Sequence, residues 1–402
     1  MTNEPTGNYL VSATIGSDGT LALYEAVSTE GAGAHGFRPA SIGDLDALFS
    51  QGSVGVSATG RFVANVNVSL FTETPLFNPT IYSPFCIDQA GTNSVTVFGI
   101  DPLNPAQLNM IGKPVSSGGE FPTSLAINQA GNRICVVNGG KINGVSCYKV
   151  DTGEGLTPIR NTIRSLNLNQ TTPATGPSNT PSQIIFSPDE KRLIVSVKAG
   201  YLAIWEVNTD GSLSTDFQTV AGGILPFSLL YVPEKNAIIA SDPGVGYDIF
   251  NLDTNETVSL PIPGQTLTCW SVYSKESGNF YMVDVGVSTI TEVHVTGSLN
   301  SSIIKASLCS MLFRIYLMLF LFFPQQYNIG TDGPIDTAVA TIDNKDFMYS
   351  LAANATGLTV LSVNGPGQAE IFQRVDIGGP AKAANLSIHS SNLQGMATFI
   401  GK

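Results

Sequence analysis

Apolar and polar positions alternate along this chain in short runs separated by Gly-, Asn- and Asp-rich turns, the period of two that marks β-strands. The clearest unit is PSQIIFSPDEKRLIVSVKAGYLAIWEVNTDGSL, Pro181 to Leu213. It holds an apolar run opening at a proline, a polar turn, a second run, a Gly turn and a third run closing on Asp-Gly-Ser-Leu. Related copies begin at Gln51, Pro122, Pro226, Cys269 and Pro334. Each carries three or four strand-length runs, which cannot bury both faces alone and must stack on their neighbours.

The spacing predicts an all-β, seven-bladed propeller. Pro181 to Pro226 is 45 residues and Pro226 to Trp270 is 44, within the roughly 40–50 residues of a four-stranded blade. Gly52 to Pro122 is 70 and Trp270 to Pro334 is 64. Both excesses coincide with foreign stretches, residues 69–90 and 306–325, whose removal restores the repeat. They read as insertions of the kind a translated intron leaves. The ends complete the ring: Met1 to Ala26 matches the outer half of a blade, and Ala384 to Lys402 reads as two inner strands. Closure of one blade by both ends removes exposed sheet edges and makes residues 1–402 a single domain.

The second foreign stretch, ASLCSMLFRIYLMLFLFFPQ, is the most apolar in the chain. It falls short of the ~20 apolar residues a membrane span needs and carries Arg314 in its middle. No span is expected. A net charge of −12, with 12% charged residues and no basic cluster, excludes binding to a phosphate backbone. No nucleophile elbow, phosphate loop or CxxC motif is present, and neither cofactor nor metal is expected.

Outside the foreign stretches the cysteines are Cys135, Cys147 and Cys269. A hairpin closing with Asn138 opposite Gly144 sets Cys135 across from Cys147, where the two form a disulfide or pack as small apolar residues. A disulfide implies an oxidising compartment. Sequons at Asn169, Asn255, Asn300, Asn354 and Asn385 are glycosylation candidates, whereas Asn67 gains its Ser69 only from the first foreign stretch. An extracellular or cell-surface location is expected, with a signal peptide missing upstream of Met1; a cytoplasmic one is the alternative.

The unit from Pro181 through FSPDEKRLIVSV to IWEVNTDGSL resembles a blade of the lactonase-type seven-bladed β-propellers, which include 6-phosphogluconolactonase and the fungal 3-carboxy-cis,cis-muconate lactonizing enzyme. The opening TNEPTGNYLVSATIGSDGTLALYEAVSTEGAGAHG and the later LFSQGSVGVSATGRFVANVNV are closest to the secreted fungal, carboxymuconate cyclase-like branch. The resemblance implies a site on the face gathering inner-strand starts and second-to-third-strand turns. Ligand-binding candidates there are Gln51, Ser53, Ser182, Gln183, Lys198, Asp242, Asp284 and Asp336. Hydroxyls, amides and carboxylates round one cavity suit a small polar or anionic ligand. The histidines that the resemblance implies beside the inner-strand prolines are absent: Phe121, Thr180 and Leu225 stand there. No catalytic residue is assigned. Three functions follow: a monomeric extracellular propeller binding such a ligand or a cell-surface partner, an active lactonase or lactonizing cycloisomerase on a sugar lactone or muconate-type acid, and a non-catalytic surface glycoprotein.

Overall fold

The computed structural model describes residues 1–38, 45–68, 93–304, 326–330 and 332–401. The foreign stretches at 69–90 and 306–325 lie outside the described residues. After the hairpin β1 (Tyr9–Ile15) and β2 (Leu21–Ser28) come six antiparallel sheets. The first holds β3 (Val54–Val56), β4 (Phe62–Asn67), β5 (Ser94–Ile100) and β6 (Leu108–Met110), with β7 (Val115–Ser116) also on β5. The second holds β8 (Pro122–Ile127), β9 (Arg133–Asn138), β10 (Gly144–Asp151) and β11 (Gly155–Pro158). The third runs β12 (Pro181–Phe186), β13 (Arg192–Val197), β14 (Tyr201–Glu206), β15 (Gln218–Ala221), and the fourth β16 (Leu229–Tyr231), β17 (Ala237–Asp242), β18 (Gly246–Asn251), β19 (Glu256–Pro261). The fifth has β20 (Thr268–Ser274), β21 (Asn279–Asp284), β22 (Thr289–Val295) and β23 (Ser301–Ile304), with β24 (Tyr327–Asn328) also on β22. The sixth has β25 (Pro334–Ile342), β26 (Lys345–Ala352), β27 (Gly357–Val363) and β28 (Ala369–Asp376).

This is a β-propeller, and its burial follows its repeat. Second strands are buried almost end to end, as in β4, β17 and β21, while fourth strands such as β19 and β28 lie largely in solvent. Trp205, Trp270, Phe250 and Tyr281 fill the layers between sheets. At about 25 cal/mol per Å² of apolar surface, that interlayer burial is the main favourable contribution to folding.

Six blades form, not the expected seven. The β1–β2 hairpin occupies the remaining sector: the Leu21 amide donates to Gln373 of β28, and Glu25 accepts from the Leu108 amide of β6. The inner strands expected over Ala384–Lys402 do not make a ladder; among the described residues the one pairing there is an isolated bridge between Thr2 and Leu393. The cause is local. A short helix α1 (Gly378–Ala383) ends in a left-handed Asn385 (φ 58°), and the polar stretch that follows closes a 3₁₀ turn at Ser390–Asn392, capped by the His389 side chain. Ser and Asn favour such turns because their side chains bond nearby backbone. Among the described residues no helix is long and apolar enough to cross a membrane.

Candidate functional site on the propeller axis

Asn67, Asn138, Asp242 and Asp284 all end second strands, and each ties down the connection entering its own blade or a neighbouring loop. Asp242 accepts the Ile224, Leu225 and Gly244 amides at 2.7, 2.9 and 2.7 Å. Asp284 accepts those of Thr266, Leu267, Gly286 and Val287 at 2.7–3.2 Å. Asn138 exchanges bonds with Ser117, and Asn67 accepts from Asn8 and Thr29. Asp242 and Asp284 therefore latch the connections of their own blades. Beside Asp242, burial and the Asp242 charge hold the Asp248 carboxyl above the usual carboxylate range. Asp242, Asp284 and Asp336 do not converge, and among the described residues no group of three His, Cys, Asp or Glu is placed to hold a metal.

The third blade breaks this rule with a lysine. Lys198 follows β13 and is fully buried; its ammonium donates to the Phe49 carbonyl at 2.5 Å and the Pro181 carbonyl at 3.1 Å and lies 4.8 Å from the Phe227 ring centre. What it holds is a segment crossing the axis, Asp46–Gln51, buried throughout. Ser182 donates to the Phe49 carbonyl, Ser50 to the Thr123 carbonyl, and Trp270 and Gln394 to the Ser50 carbonyl. Gln51 spans the axis, exchanging two hydrogen bonds of 3.0–3.1 Å with the Ser271 backbone. Phe49 takes a left-handed φ of 56°, a conformation that a large residue keeps only where its surroundings enforce it. This crossing closes the face on which the site was expected.

The open volume lies on the other side of that crossing. An axial cavity of about 490 Å³ runs from Gln51, Gln183 and Asp336 past the apolar Leu125, Ile127 and Ile184 to Gln129, Pro188 and Glu190. The last three belong to first-to-second-strand turns, so the mouth opens on the face opposite to the one expected. Of the eight candidates, Gln51, Gln183 and Asp336 line it. Ser53, Ser182 and Lys198 are buried in the surrounding wall, and Asp242 and Asp284 are elsewhere.

Asp336 is 2% exposed, and its Oδ2 accepts the Gly395 amide at 2.7 Å and the Gln394 side-chain amide at 3.2 Å. Burial, helped by the negative charge of Asp46, pushes its pKa up to about 7 against the pull of the Gly395 and Gly52 amides. Burial likewise brings Lys198 down to about 7, opposed by Asp46, and pushes the Asp46 carboxyl up, opposed by Arg38 and Lys198. Gln183 spends its carbonyl oxygen on the Leu229 amide; its amide nitrogen has no protein partner among the described residues and borders the cavity. Among the described residues no histidine, arginine or lysine lines this cavity. Asp46 and Gln394 escaped the sequence reading because neither sits at a repeat position; the departure from Asn/Asp at Lys198 was the available signal.

No known protein family matches the sequence, and no curated protein does. Solved structures do. A periplasmic gluconolactonase of Pseudomonas aeruginosa superposes with a TM-score of 0.61 at 14% identity, over 92% of this chain and 96% of that one. A putative 6-phosphogluconolactonase from Bacteroides fragilis gives 0.57 at 13%, over 93% and 97%. Another from Bacteroides uniformis gives 0.51 at 13%, over 71% and 80%. At these identities the likeness is one of fold.

Proposed function

We propose that this chain is a lactonase-type propeller that takes a small uncharged polar ligand, a sugar lactone in its simplest form, into the axial cavity and opens it by hydrolysis. The observation that carries this is Asp336, an acid poised near neutrality among amides in a cavity large enough for such a ligand. As a carboxylate it draws a proton from water while the water oxygen bonds to the lactone carbonyl carbon. The Gln183 amide donates to the carbonyl oxygen as charge develops there. The ring C–O bond then breaks, and protonated Asp336 returns its proton to the leaving oxygen. The product is a hydroxy acid. Without a lining cation, and with Asp336 and Glu190 as its lining carboxylates, the cavity disfavours phosphorylated or carboxylated substrates, so a muconate-type acid fits less well than a neutral lactone.

Three further features belong to the same proposal. The ring is read as seven sectors, the seventh supplied by β1, β2 and Leu393–Ile400 between the sixth blade and the first. The protein is a monomer of the fungal, carboxymuconate cyclase-like branch. It works outside the cell: Cys135 and Cys147 are joined as a disulfide, and the sequons at Asn169, Asn255, Asn300, Asn354 and Asn385 are all exposed whereas Asn67 is buried. A non-catalytic surface glycoprotein is the second reading, favoured by the five exposed sequons.

The test is hydrolysis of glucono-1,5-lactone by the intact protein and its Asp336→Asn variant. Turnover above the uncatalysed rate, falling at least a hundredfold in the variant while thermal stability is kept, is the expected result. No turnover by the intact protein, or equal turnover by both, would leave the glycoprotein reading in its place.

A further inference from the structure

The axial cavity changes character along its length. At the end closed by the crossing segment stand Gln51, Gln183 and Asp336, with Thr337 turning its hydroxyl to Ile335 and Ser350. From there towards the mouth the lining is apolar: Val54 of β3, Leu125 and Ile127 of β8, Ile184 and Phe186 of β12, and Met396. Gln183 and Phe186 lie three residues apart on β12, about 10 Å at 3.3 Å per residue. The inner-strand amides add little polarity here. The Leu125 amide donates to the Gly52 carbonyl at 2.8 Å, the Ile184 amide to the Ser124 hydroxyl at 3.3 Å and the Leu229 amide to the Gln183 side chain at 2.5 Å. Each of the first three blades thus takes up an amide of the next. At the mouth both Glu190 oxygens are engaged as well, accepting from the Asn128 side chain at 3.0 Å and the Gln129 amide at 2.6 Å.

Two kinds of lactone can enter this space. A polyhydroxylated sugar lactone suits the closed end, but each hydroxyl laid against Leu125, Ile127 and Ile184 gives up its water without a replacement bond. An alkyl chain in the same place carries no such cost and removes apolar surface of both partners from water.

We propose that the substrate of this cavity is a lactone bearing an unbranched alkyl chain, its ring held at Asp336 and Gln183 and its chain lying along Leu125, Ile127 and Ile184 towards the Gln129–Glu190 rim. The inference rests on the lactone reading above and narrows its substrate class. Ring opening is unchanged: the water oxygen bonds to the carbonyl carbon, the ring C–O bond breaks, and the proton taken up by Asp336 passes to the leaving oxygen. The product is a hydroxy acid with an alkyl tail. Once its carboxyl ionises beside Asp336, no cation among the described lining residues holds it there.

The test is a series of six-membered lactones, δ-hexalactone, δ-octalactone and δ-decalactone, which share one ring and differ in chain length alone. With the intact protein kcat/KM should rise by roughly fourfold per methylene, and so by at least tenfold from each lactone to the next. Relative to the uncatalysed rates, δ-decalactone should also surpass glucono-1,5-lactone. Ile127→Asn sets an amide beside the chain at a half-buried position, and there the decalactone-to-hexalactone ratio should fall at least tenfold. Equal kcat/KM along the series, preference for glucono-1,5-lactone, or an unchanged ratio in folded Ile127→Asn would overturn the alkyl chain and leave the lactone chemistry standing. The series on the intact protein decides alone if the variant does not fold. If no lactone is turned over, the lactone chemistry falls, and calorimetric titration of the same three lactones decides the apolar compartment. Affinity that climbs with chain length keeps it; absent or length-independent binding removes it.

Discussion

Asp336 and Gly395 are joined by a 2.7 Å hydrogen bond from the Gly395 amide to the Asp336 carboxylate. The acid lining the axial cavity thus also anchors the C-terminal chain, whose next residues, Met396–Ile400, line a second, largely apolar cavity. Site and ring closure share one titratable group.

That sharing gives stability a defined pH dependence. Asp336 titrates at about 7 in the folded chain against an ordinary 3.8. Between those values the folded state holds a proton that the unfolded state has released, so stability from this group is full below about pH 4 and is lost as pH rises through 7. Asp336→Asn removes the dependence while keeping an oxygen for the Gly395 amide. Thermal unfolding should show the variant gaining on the parent by roughly 1–3 kcal/mol between pH 4.5 and 8. A constant difference across that range would contradict the assignment.

Lys198 is expected to hold the crossing segment closed. Lys198→Met keeps the apolar stem but loses the bonds to the Phe49 and Pro181 carbonyls. Cys269, the one free and buried cysteine among the described residues, has a thiol that burial pushes well up, and Lys198 is one of the charges acting on it. In a Cys86→Ser, Cys309→Ser background, loosening of the crossing in Lys198→Met should expose Cys269 and accelerate its labelling by a thiol reagent at least severalfold, outweighing the further rise in thiol pKa that loss of the Lys198 charge brings. Unchanged labelling with unchanged Tm would mean that the other bonds to Phe49 and Ser50 suffice.

Much of this plan is legible in the sequence. Pro122, Pro181 and Pro334 open inner strands where the repeat put them, and Cys135 pairs with Cys147 in the register expected from Asn138 opposite Gly144. The cavity was only half legible. Gln51, Gln183 and Asp336 follow from their place at inner-strand starts, but a carboxylate latching a turn, as in Asp242 and Asp284, has the same sequence signature as one facing a ligand. Asp46–Ser50 could not be placed by periodicity, since a loop that crosses the axis obeys no repeat. The C-terminal inner strands failed for a similar reason: alternation marks Met396–Ile400 as strand-like, yet a ladder needs a neighbour, and Ala384–Asn392 folds into turns.

The disulfide links adjacent strands β9 and β10 across a sequence separation of 12. Loop-closure entropy for about that length corresponds to about 3 kcal/mol of stabilisation. Replacing both cysteines by Ser should lower stability by roughly 2–3 kcal/mol in protein from an oxidising host, measured by denaturant unfolding. Non-reducing peptide mapping should recover Cys135 joined to Cys147. Two free thiols in such protein would point to a reducing compartment.

Deleting residues 69–90 together with 306–325 should leave the propeller intact and raise its solubility and Tm. The described flanks explain why. Asn67 and Ser94 are register partners, with Asn67 donating to the Ser94 hydroxyl at 3.3 Å, so Val68, Gly91, Thr92 and Asn93 remain to close a hairpin between β4 and β5. In the fifth blade β22 pairs with β23 through Glu292 and Ile304 and with β24 through Ile290 and Tyr327, so β23 and β24 lie in one line along the same strand. Lys305 and Gln326 then join Ile304 to Tyr327 opposite the single residue Thr291, as a β-bulge in one outer strand, and the most apolar stretch of the sequence is removed. The checks are the soluble yield, the melting temperature and the circular dichroism spectrum of the double deletion. A deletion protein that fails to fold would show that these stretches are structural parts of the first and fifth blades.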